Sequence, residues 1–294
     1  MGVKFNGDPL VMGVINVSPE SFYPSSVRRI EQVTAAARAM VEAGAAVVDL
    51  GGMSTAPFKS TWISEELEAD RLMAAVKSIR DELGHNVVIS VDSFRPKVVE
   101  KVARLGIDVI NDVTGLWFSE TLADVAADNG LQMILCAREL QDSGRDPVET
   151  IIDEGRRAIE VAAKHGVEDV IIDPCIGFPP ITGDPSINPL LPLRGNRYEN
   201  WAARDVYVLS HVDELRALGK PLCVGASRKG FIRKSLGKAM GRELGGSLGV
   251  AAYLAMKGVD LIRVHDVEET VDLIRIMRII KRCEGRGFGE CLLT

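Results

Sequence analysis

Residues 170–178 read Val-Ile-Ile-Asp-Pro-Cys-Ile-Gly-Phe, an apolar run that ends at a carboxylate and a glycine-containing turn. Further along, residues 221–230 repeat this pattern, because Pro-Leu-Cys-Val is followed by Gly-Ala-Ser-Arg-Lys-Gly. Short runs that are apolar at every position are typical of strands buried on both faces of a parallel sheet. The two stretches therefore predict parallel strands that deliver Asp173 and Lys229 to the same edge of one sheet.

Apolar runs of this kind recur along the whole chain, with amphipathic segments between them. Helix signals mark the intervals: residues 31–42 have one apolar face and end near Gly44, Ser64 suits an N-cap, and Pro147 follows Asp146 at a helix start. Eight strand–helix units in about 250 residues are typical of a closed (β/α)8 barrel. We therefore predict a single (β/α)8 TIM barrel domain over residues 1–294, with a doubly wound open sheet as the alternative.

The predicted elements can be given by their bounds. The strands are Leu10–Val17, Ala46–Leu50, Val87–Val91, Asp108–Asn111, Gln132–Cys136, Asp169–Asp173, Pro221–Val224 and Asp260–Val264. Later helices are predicted over Ala202–Leu218, Gly245–Lys257 and Val267–Lys281. The last two are apolar enough to supply a subunit interface.

Composition limits the class of protein and its partners. The chain has 294 residues, 46% of them hydrophobic, and a formal net charge of −6. An acidic chain whose basic residues are dispersed does not favour nucleic acid, and no stretch is long and apolar enough to predict a membrane span. Five scattered cysteines without a CxxC pair argue against a disulfide framework or a zinc site and favour a reducing compartment, so we predict a cytoplasmic protein.

Polar residues gather at the carboxyl ends of the predicted strands. In a (β/α)8 barrel these positions face the active-site mouth. Any one of them could be an N-cap for the next helix, but that explanation does not account for the whole set. The set, which predicts a ligand site at the mouth, comprises Asn16, Asp49, Asp92, Asn111, Asp173, Lys229, Arg263 and His265.

The residue types in this set indicate the chemistry of the ligand. Carboxylates accept paired N–H bonds, a carboxamide both donates and accepts, and Lys donates, which suits a flat heterocycle such as a pterin. Arg263 and His265, together with Asn16, suit an anionic group and Mg²⁺. For Arg263 a structural ion pair with Asp266 or Glu268 is the alternative, and His265 could equally be a structural histidine.

Seven segments, in order along nearly the whole chain, resemble the motifs of dihydropteroate synthases. They are residues 12–22, 49–55, 90–93, 110–115, 173–178, 225–229 and 263–267. The resemblance implies a pterin-binding TIM barrel that joins a hydroxymethyl-dihydropterin diphosphate to p-aminobenzoate and releases pyrophosphate. It also implies Mg²⁺ as a cofactor and a homodimer.

The resemblance assigns a role to each matching residue. The residues implied to hold the pterin are Asp92, Asn111, Asp173 and Lys229, with Phe178 supporting them. The residues implied to take the diphosphate and its Mg²⁺ are Asn16, Arg263 and His265, which with Lys229 form the implied catalytic set, and Asn16 is the implied metal ligand. Ser227, Lys229 and Thr55 are implied on the acceptor side, where the loops Ser18–Ser26 and Met53–Lys59 would close.

The chain departs from the family pattern on the acceptor side. Ala56 stands where the family usually has Arg, the segment Leu135–Glu139 replaces the usual Met-His-Met-Arg-Gly, and Pro179 follows Phe178 where Gly-Lys is usual. We therefore expect p-aminobenzoate to be a poor acceptor and a bulkier or differently charged arylamine to be preferred, with Arg138 supplying the missing charge. Two alternatives stay open: a pterin-dependent methyltransferase that hands a methyl group to a corrinoid protein, and a non-catalytic pterin-binding protein. Cys136 and Cys175 are interpreted as packing residues.

Overall fold

A computed structural model describes residues 2–19, 28–54, 62–138, 144–178 and 201–284. Eight parallel strands follow the order β6-β5-β4-β3-β2-β1-β8-β7, and a parallel bridge between Ile172 and Leu222 joins β6 to β7 and closes the circle. The predicted (β/α)8 barrel is confirmed, and the open-sheet alternative is wrong. The strands are β1 (Leu10–Asn16), β2 (Val47–Gly51), β3 (Val88–Asp92), β4 (Val109–Asp112), β5 (Gln132–Cys136), β6 (Val170–Asp173), β7 (Cys223–Val224) and β8 (Leu261–Val264).

The α-helices surround the strands, and their ends follow the capping signals in the sequence. Gly44 ends α1 with a left-handed φ of 110°, and Ser64 Oγ accepts a hydrogen bond from the Leu67 amide at the start of α2. None of the helices within the described ranges has the length and apolar character to cross a membrane. The helices are α1 (Ile30–Ala43), α2 (Glu65–Leu83), α3 (Pro96–Ala103), α4 (Thr121–Asn129), α5 (Pro147–Lys164), α6 (Trp201–Ser210), α7 (Gly230–Leu236), α8 (Leu244–Met256) and α9 (Val267–Cys283).

The helix predicted over residues 202–218 is wrong as a single element. The α-helix α6 ends at Ser210, and a 3₁₀ helix follows over Val212–Leu218. At the break, Ser210 Oγ and His211 Nδ1 both lie within hydrogen-bond distance of the Tyr207 carbonyl oxygen, at 2.7 and 2.8 Å. Side chains that engage the helix backbone in this way weaken the regular helical bonding, which is the reason the chain changes to a tighter turn here.

The barrel interior has an apolar floor below a polar layer. Side chains alternate along a strand, so every second residue faces the interior. The floor is a buried cluster that includes Met12, Val47, Val109, Ile134, Ile171, Cys223 and Leu261, and Val3 from the amino-terminal segment packs with it. Two residues further along the strands, the interior positions become polar at Asp49, Asn111 and Arg263. The floor therefore excludes water beneath a polar site at the carboxyl ends of the strands.

Candidate functional site

The structure brings the predicted polar residues together at one end of the barrel. Asn16, Asp92 and Asp173 are the last residues of β1, β3 and β6, and the pairing register places Asp92 level with Asn111 on β4. Lys229 is the N-cap residue of α7. Arg263 lies within β8, and His265 follows its last residue. Thr55, Ala56 and most of the two predicted closing loops lie outside the described residues.

Arg263 is held by two carboxylates in the interior of the barrel. Its Nε lies 2.8 Å from Asp49 Oδ2 and its Nη2 lies 2.9 Å from Asp92 Oδ2. Asp49 has no solvent exposure and also accepts hydrogen bonds from Ser90 Oγ at 2.7 Å and Asn111 Nδ2 at 3.3 Å. Asp49 is thus the centre of a buried network that orients Arg263 and Asn111.

The alternative partner suggested for Arg263, Asp266, binds a different arginine. Arg228 donates from Nε and Nη2 to the two carboxylate oxygens of Asp266, at 2.8 and 2.5 Å. Its own amide donates to Ser247 Oγ at 2.9 Å, and its φ of 56° lies in the left-handed region. Bidentate pairs of this kind fix geometry as well as charge. Arg228 therefore holds the turn that presents Ser227 and Lys229, a role that the sequence pattern did not indicate.

Burial changes the acid–base properties of the strand-end residues. Burial raises the pKa of Asp92 to about 7, and the nearby charges of Asp49 and Glu68 add to this, while Arg263 opposes it. Burial also raises the pKa of Asp173. Burial, followed by the charge of Arg263, lowers the pKa of Lys229 to about 8. The site can thus gain or lose protons close to neutral pH, which is common at functional sites.

His265 is neutral in the free protein. Burial lowers its pKa to about 3, and the positive charges of Arg263, Lys229 and Arg228 contribute further. Its Nδ1 lies 3.2 Å from Ser227 Oγ, and Ser227 Oγ accepts a hydrogen bond from the His265 amide at 3.3 Å. An anion bound beside this ring would reverse the local field and favour the protonated form.

Asp173, Phe178 and Lys229 form one packed unit. The Cys175 amide donates to Asp173 Oδ1 at 2.7 Å and so fixes the carboxylate at the end of β6. Lys229 Nζ lies 4.2 Å from the centre of the Phe178 ring, a cation–π contact. Gly177 has a φ of 82°, and a Cβ added there would lie 2.7 Å from Lys229 Cδ. Glycine is therefore required for Lys229 to approach this turn.

Cys136 and Cys175 form a disulfide, so their interpretation as packing residues is wrong. Their Cα atoms are 5.5 Å apart, within the range that disulfides need. The pair was missed because the residues are 39 positions apart in sequence and no local spacing indicates it. Pairing of β5 with β6 places Cys136 level with Asp173, two residues before Cys175, which explains their proximity.

Two buried arginines, Arg138 and Arg204, lie on the side of the site where the chain departs from the family pattern. Arg138 follows β5 and is buried, and burial, with the charge of Arg204, lowers its pKa to about 10. Arg204 on α6 is also buried and lies 3.3 Å from Asp205. Asp205 in turn interacts with the Gly177 amide and with the charge of Lys229. Asp205 thus interacts with both Arg204 and Lys229, and Arg138 adds a buried positive charge that acts together with that of Arg204.

Sequence reasoning also missed an aromatic group at the carboxyl ends of β3 and β4. The Phe94 ring lies 5.9 Å from Trp62 and 4.8 Å from Phe118, measured between ring centres. The Arg95 guanidinium lies 4.2 Å from the Trp62 ring and is anchored by a buried ion pair with Glu68 at 2.8 Å. Phe94 and Arg95 follow Asp92 closely in the sequence. Their position just after a strand end was the signal that could have indicated this aromatic group.

A (β/α)8 barrel with buried polar side chains at the carboxyl ends of its strands has the arrangement of a TIM-barrel enzyme. Residues 12–194 and 195–265 match the model of the family described as pterin binding enzyme. The chain belongs to this family and, within it, to the dihydropteroate synthases. It is 31% identical to the Escherichia coli dihydropteroate synthase over 281 residues, which cover 92% of this chain and 90% of the relative.

Solved structures agree with this assignment. The Clostridium difficile dihydropteroate synthase, solved with pteroic acid, superposes with a TM-score of 0.79 at 29% identity and covers 95% of this chain and 99% of its own. The Xanthomonas albilineans dihydropteroate synthase, solved with 4-aminobenzoic acid, gives a TM-score of 0.77 at 27% identity and covers 93% of each chain. These relatives favour the transferase hypothesis over the methyltransferase.

Proposed function

We propose that this chain is a dihydropteroate synthase-type transferase, which joins a hydroxymethyl-dihydropterin diphosphate to an arylamine and releases pyrophosphate. The observation that carries the proposal is the convergence of Asp92, Asn111, Asp173 and Lys229 at one barrel mouth. Membership of the synthase family supports the same reaction. The four side chains supply the acceptors and donors that a pterin edge requires.

In this proposal, positioning and electrostatics supply most of the rate. Pterin ring nitrogens can push electrons towards the exocyclic carbon, so the bond to the diphosphate breaks as charge develops on pyrophosphate. Arg263 and His265 would bind that leaving group and stabilise its charge, and His265 would gain a proton as the anion binds. An aniline nitrogen is unprotonated at neutral pH, so it can attack the carbon without a strong general base.

The described residues fit the Mg²⁺ that the family implies if the ion binds mainly through the diphosphate. Mg²⁺ at phosphate sites usually has one or two protein oxygens, with phosphate and water oxygens as the other ligands. Asn16 offers such an oxygen: its Oδ1 lies 2.7 Å from the position that a Cβ on Gly51 would occupy, so Gly51 leaves room for it. Bound there, Mg²⁺ would neutralise charge on the leaving group.

The acceptor proposal concerns the side where the sequence departs from the family. We infer that an arylamine larger or more negatively charged than p-aminobenzoate is preferred. The buried positive charge of Arg138 supports this inference, because charge-assisted contacts favour an anionic group on the amine. Ser227, whose Oγ lies 3.2 Å from His265 Nδ1, is also proposed to border the amine.

We also propose that the protein is a homodimer that pairs through α8 and α9. Several large apolar side chains on these helices are exposed, which is unusual for surfaces that meet only water. They are Tyr253, Met256, Ile276 and Ile280, of which Met256 is 76% exposed. Sedimentation analysis of Ile276→Asp and Ile280→Asp should show a monomer where the unmodified protein is a dimer, and an unchanged mass would contradict this surface.

A cytoplasmic location is the remaining proposal. It was inferred from cysteines without a disulfide framework, and the Cys136–Cys175 bond removes part of that basis. Disulfides in cytosolic proteins are usually transient or redox-sensing. The location therefore requires that this bond be reversible in the cell.

One assay tests the proposed reaction. The protein is incubated with the pterin diphosphate, Mg²⁺ and a series of arylamines, and pyrophosphate release and the coupled product are both measured. We expect both signals, with p-aminobenzoate slower than a larger or anionic arylamine. Asp173→Asn serves as the matched control and should lose both signals together. Pyrophosphate release in the absence of any coupled product, or no turnover with any amine, would refute the transferase.

A further inference from the structure

The Cys136–Cys175 disulfide lies within the proposed pterin site. Cys136 is the last residue of β5 and pairs in register with Asp173 on β6. Cys175 donates its amide to the Asp173 carboxylate at 2.7 Å, so the disulfide and the proposed pterin anchor share one turn. Both cysteines are buried, with 3% and 5% of their surface exposed. The bond therefore ties the turn that carries Asp173 to the neighbouring strand.

The turn that the disulfide holds is strained. Cys175 has a φ of 53°, in the left-handed region that disfavours residues with a side chain. A rotation at Cys175 towards ordinary values would move the chain that follows it. That chain includes Gly177, which lies against Lys229, and Phe178, whose ring contacts Lys229. Strain at Cys175 is thus coupled to two residues of the proposed pterin pocket.

We propose that Cys136 and Cys175 are a reversible redox site that controls affinity for the pterin, an inference that rests on the proposed function. The oxidised state holds the left-handed turn, and the reduced state lets it relax and weakens the pocket. In the oxidation, the two thiols lose two protons and two electrons to a small-molecule disulfide, which leaves as two thiols. A dithiol reductant reverses the exchange, opening the bond and becoming a disulfide itself.

We expect the oxidised protein to bind the pterin about tenfold more tightly than the reduced protein. A tenfold change corresponds to about 1.4 kcal/mol, which lies in the range that left-handed backbone costs an ordinary residue. The measurement is calorimetric titration with hydroxymethylpterin after treatment with oxidised glutathione or with dithiothreitol. Alkylation and mass spectrometry verify the state of Cys136 and Cys175 in each sample.

Variants separate the disulfide from the strain. Cys175→Ala removes the bond and keeps a side chain, so its affinity should match the reduced protein under both treatments. Cys175→Gly removes the bond but adopts the left-handed turn freely, so its affinity should match the oxidised protein under both treatments. Cys223→Ser, on a buried free cysteine of β7, should respond to the reductant as the unmodified protein does. Equal affinities for the oxidised and reduced unmodified protein would overturn the proposal, as would equal losses in the Ala and Gly variants.

A second measurement does not depend on the pterin. Hydrogen exchange of the free protein, followed by mass spectrometry, should show faster exchange in the peptide spanning residues 173–178 after reduction. Failure of the pterin to bind in either state would contradict the proposed function, and the exchange data would then decide the redox site alone. Identical hydrogen exchange in the oxidised and reduced protein would overturn the proposed redox site. A failure of oxidised glutathione to convert the two thiols into a disulfide would also overturn it.

Discussion

Replacement of Asp92 by Asn should make the stability of the fold less sensitive to pH while weakening pterin binding. Asp92 is buried at the end of β3, and burial raises its pKa to about 7 from the ordinary 3.8 of an aspartate. An acid with a raised pKa binds a proton more tightly in the folded chain than in the unfolded chain. Asp92 therefore makes its full favourable contribution to the free energy of unfolding below about pH 4, and this contribution is lost as the pH rises through about 7. Asn lacks this penalty and still offers an oxygen to Arg263.

The size of the effect follows from those two pKa values. Each pKa unit corresponds to about 1.36 kcal/mol, so the free energy of unfolding loses about 2 kcal/mol by pH 5.5 and about 4 kcal/mol by pH 8 through this group. The free energy of unfolding of Asp92→Asn, relative to that of the unmodified protein, should therefore rise by about 2 kcal/mol between these two pH values.

Urea unfolding at the two pH values measures this difference. The control is Asp128→Asn on the exposed face of α4, which reports the removal of a carboxylate that is exposed to solvent. Comparison of the pH dependence in the two variants isolates the contribution of burial at Asp92. A stability difference for Asp92→Asn that is constant from about pH 5.5 to about pH 8 would refute the reasoning.

Three further predictions concern the other residues of the site. Because the pKa of Lys229 is lowered to about 8, turnover should fall above that pH as its charge is lost, and Lys229→Arg should move this limb upward in the pH profile. His265 is neutral in the free protein, so the binding of pyrophosphate at neutral pH should be accompanied by uptake of a proton. Calorimetry in buffers of different ionisation enthalpy measures this proton uptake. If the uptake persists in His265→Gln, His265 is not the group that is protonated. Gly177→Ala should lower pterin affinity, because the added Cβ would displace Lys229. The control is Gly130→Ala, where φ is 62° and nothing lies within 4 Å of the added Cβ, so it should lower stability alone. Equal pterin affinity in both variants would refute the importance of the contact between Gly177 and Lys229.

The fold and the site positions were predictable because they depend on local pattern. Strands buried on both faces are apolar throughout, and the first polar residue after each run marks the carboxyl end that faces the mouth. The predicted strand bounds accordingly differ from the observed ones by at most two residues at either end, and those of β5 are identical. The same pattern located Asp92 and Asp173 without any knowledge of their contacts.

The contacts between distant elements were not predictable in this way. Arg263 bridges to Asp49 over 214 positions of sequence, and Arg228 reaches Asp266 over 38. A charged residue after a strand can meet any neighbour that the barrel brings near, so composition alone could not choose between these carboxylates. The break after Ser210 was missed for a different reason: side-chain bonds to the Tyr207 carbonyl outweigh helix propensity there.

The junction of β6 with β7 gives the barrel a natural point of division. The other strand pairs have registers of two or more residue pairs, whereas β6 and β7 meet through the bridge of Ile172 with Leu222. A gene split within residues 179–200 would yield one fragment with six strands and one with two. We expect the pairing of β1 with β8, which would join the two fragments, to guide their reassembly.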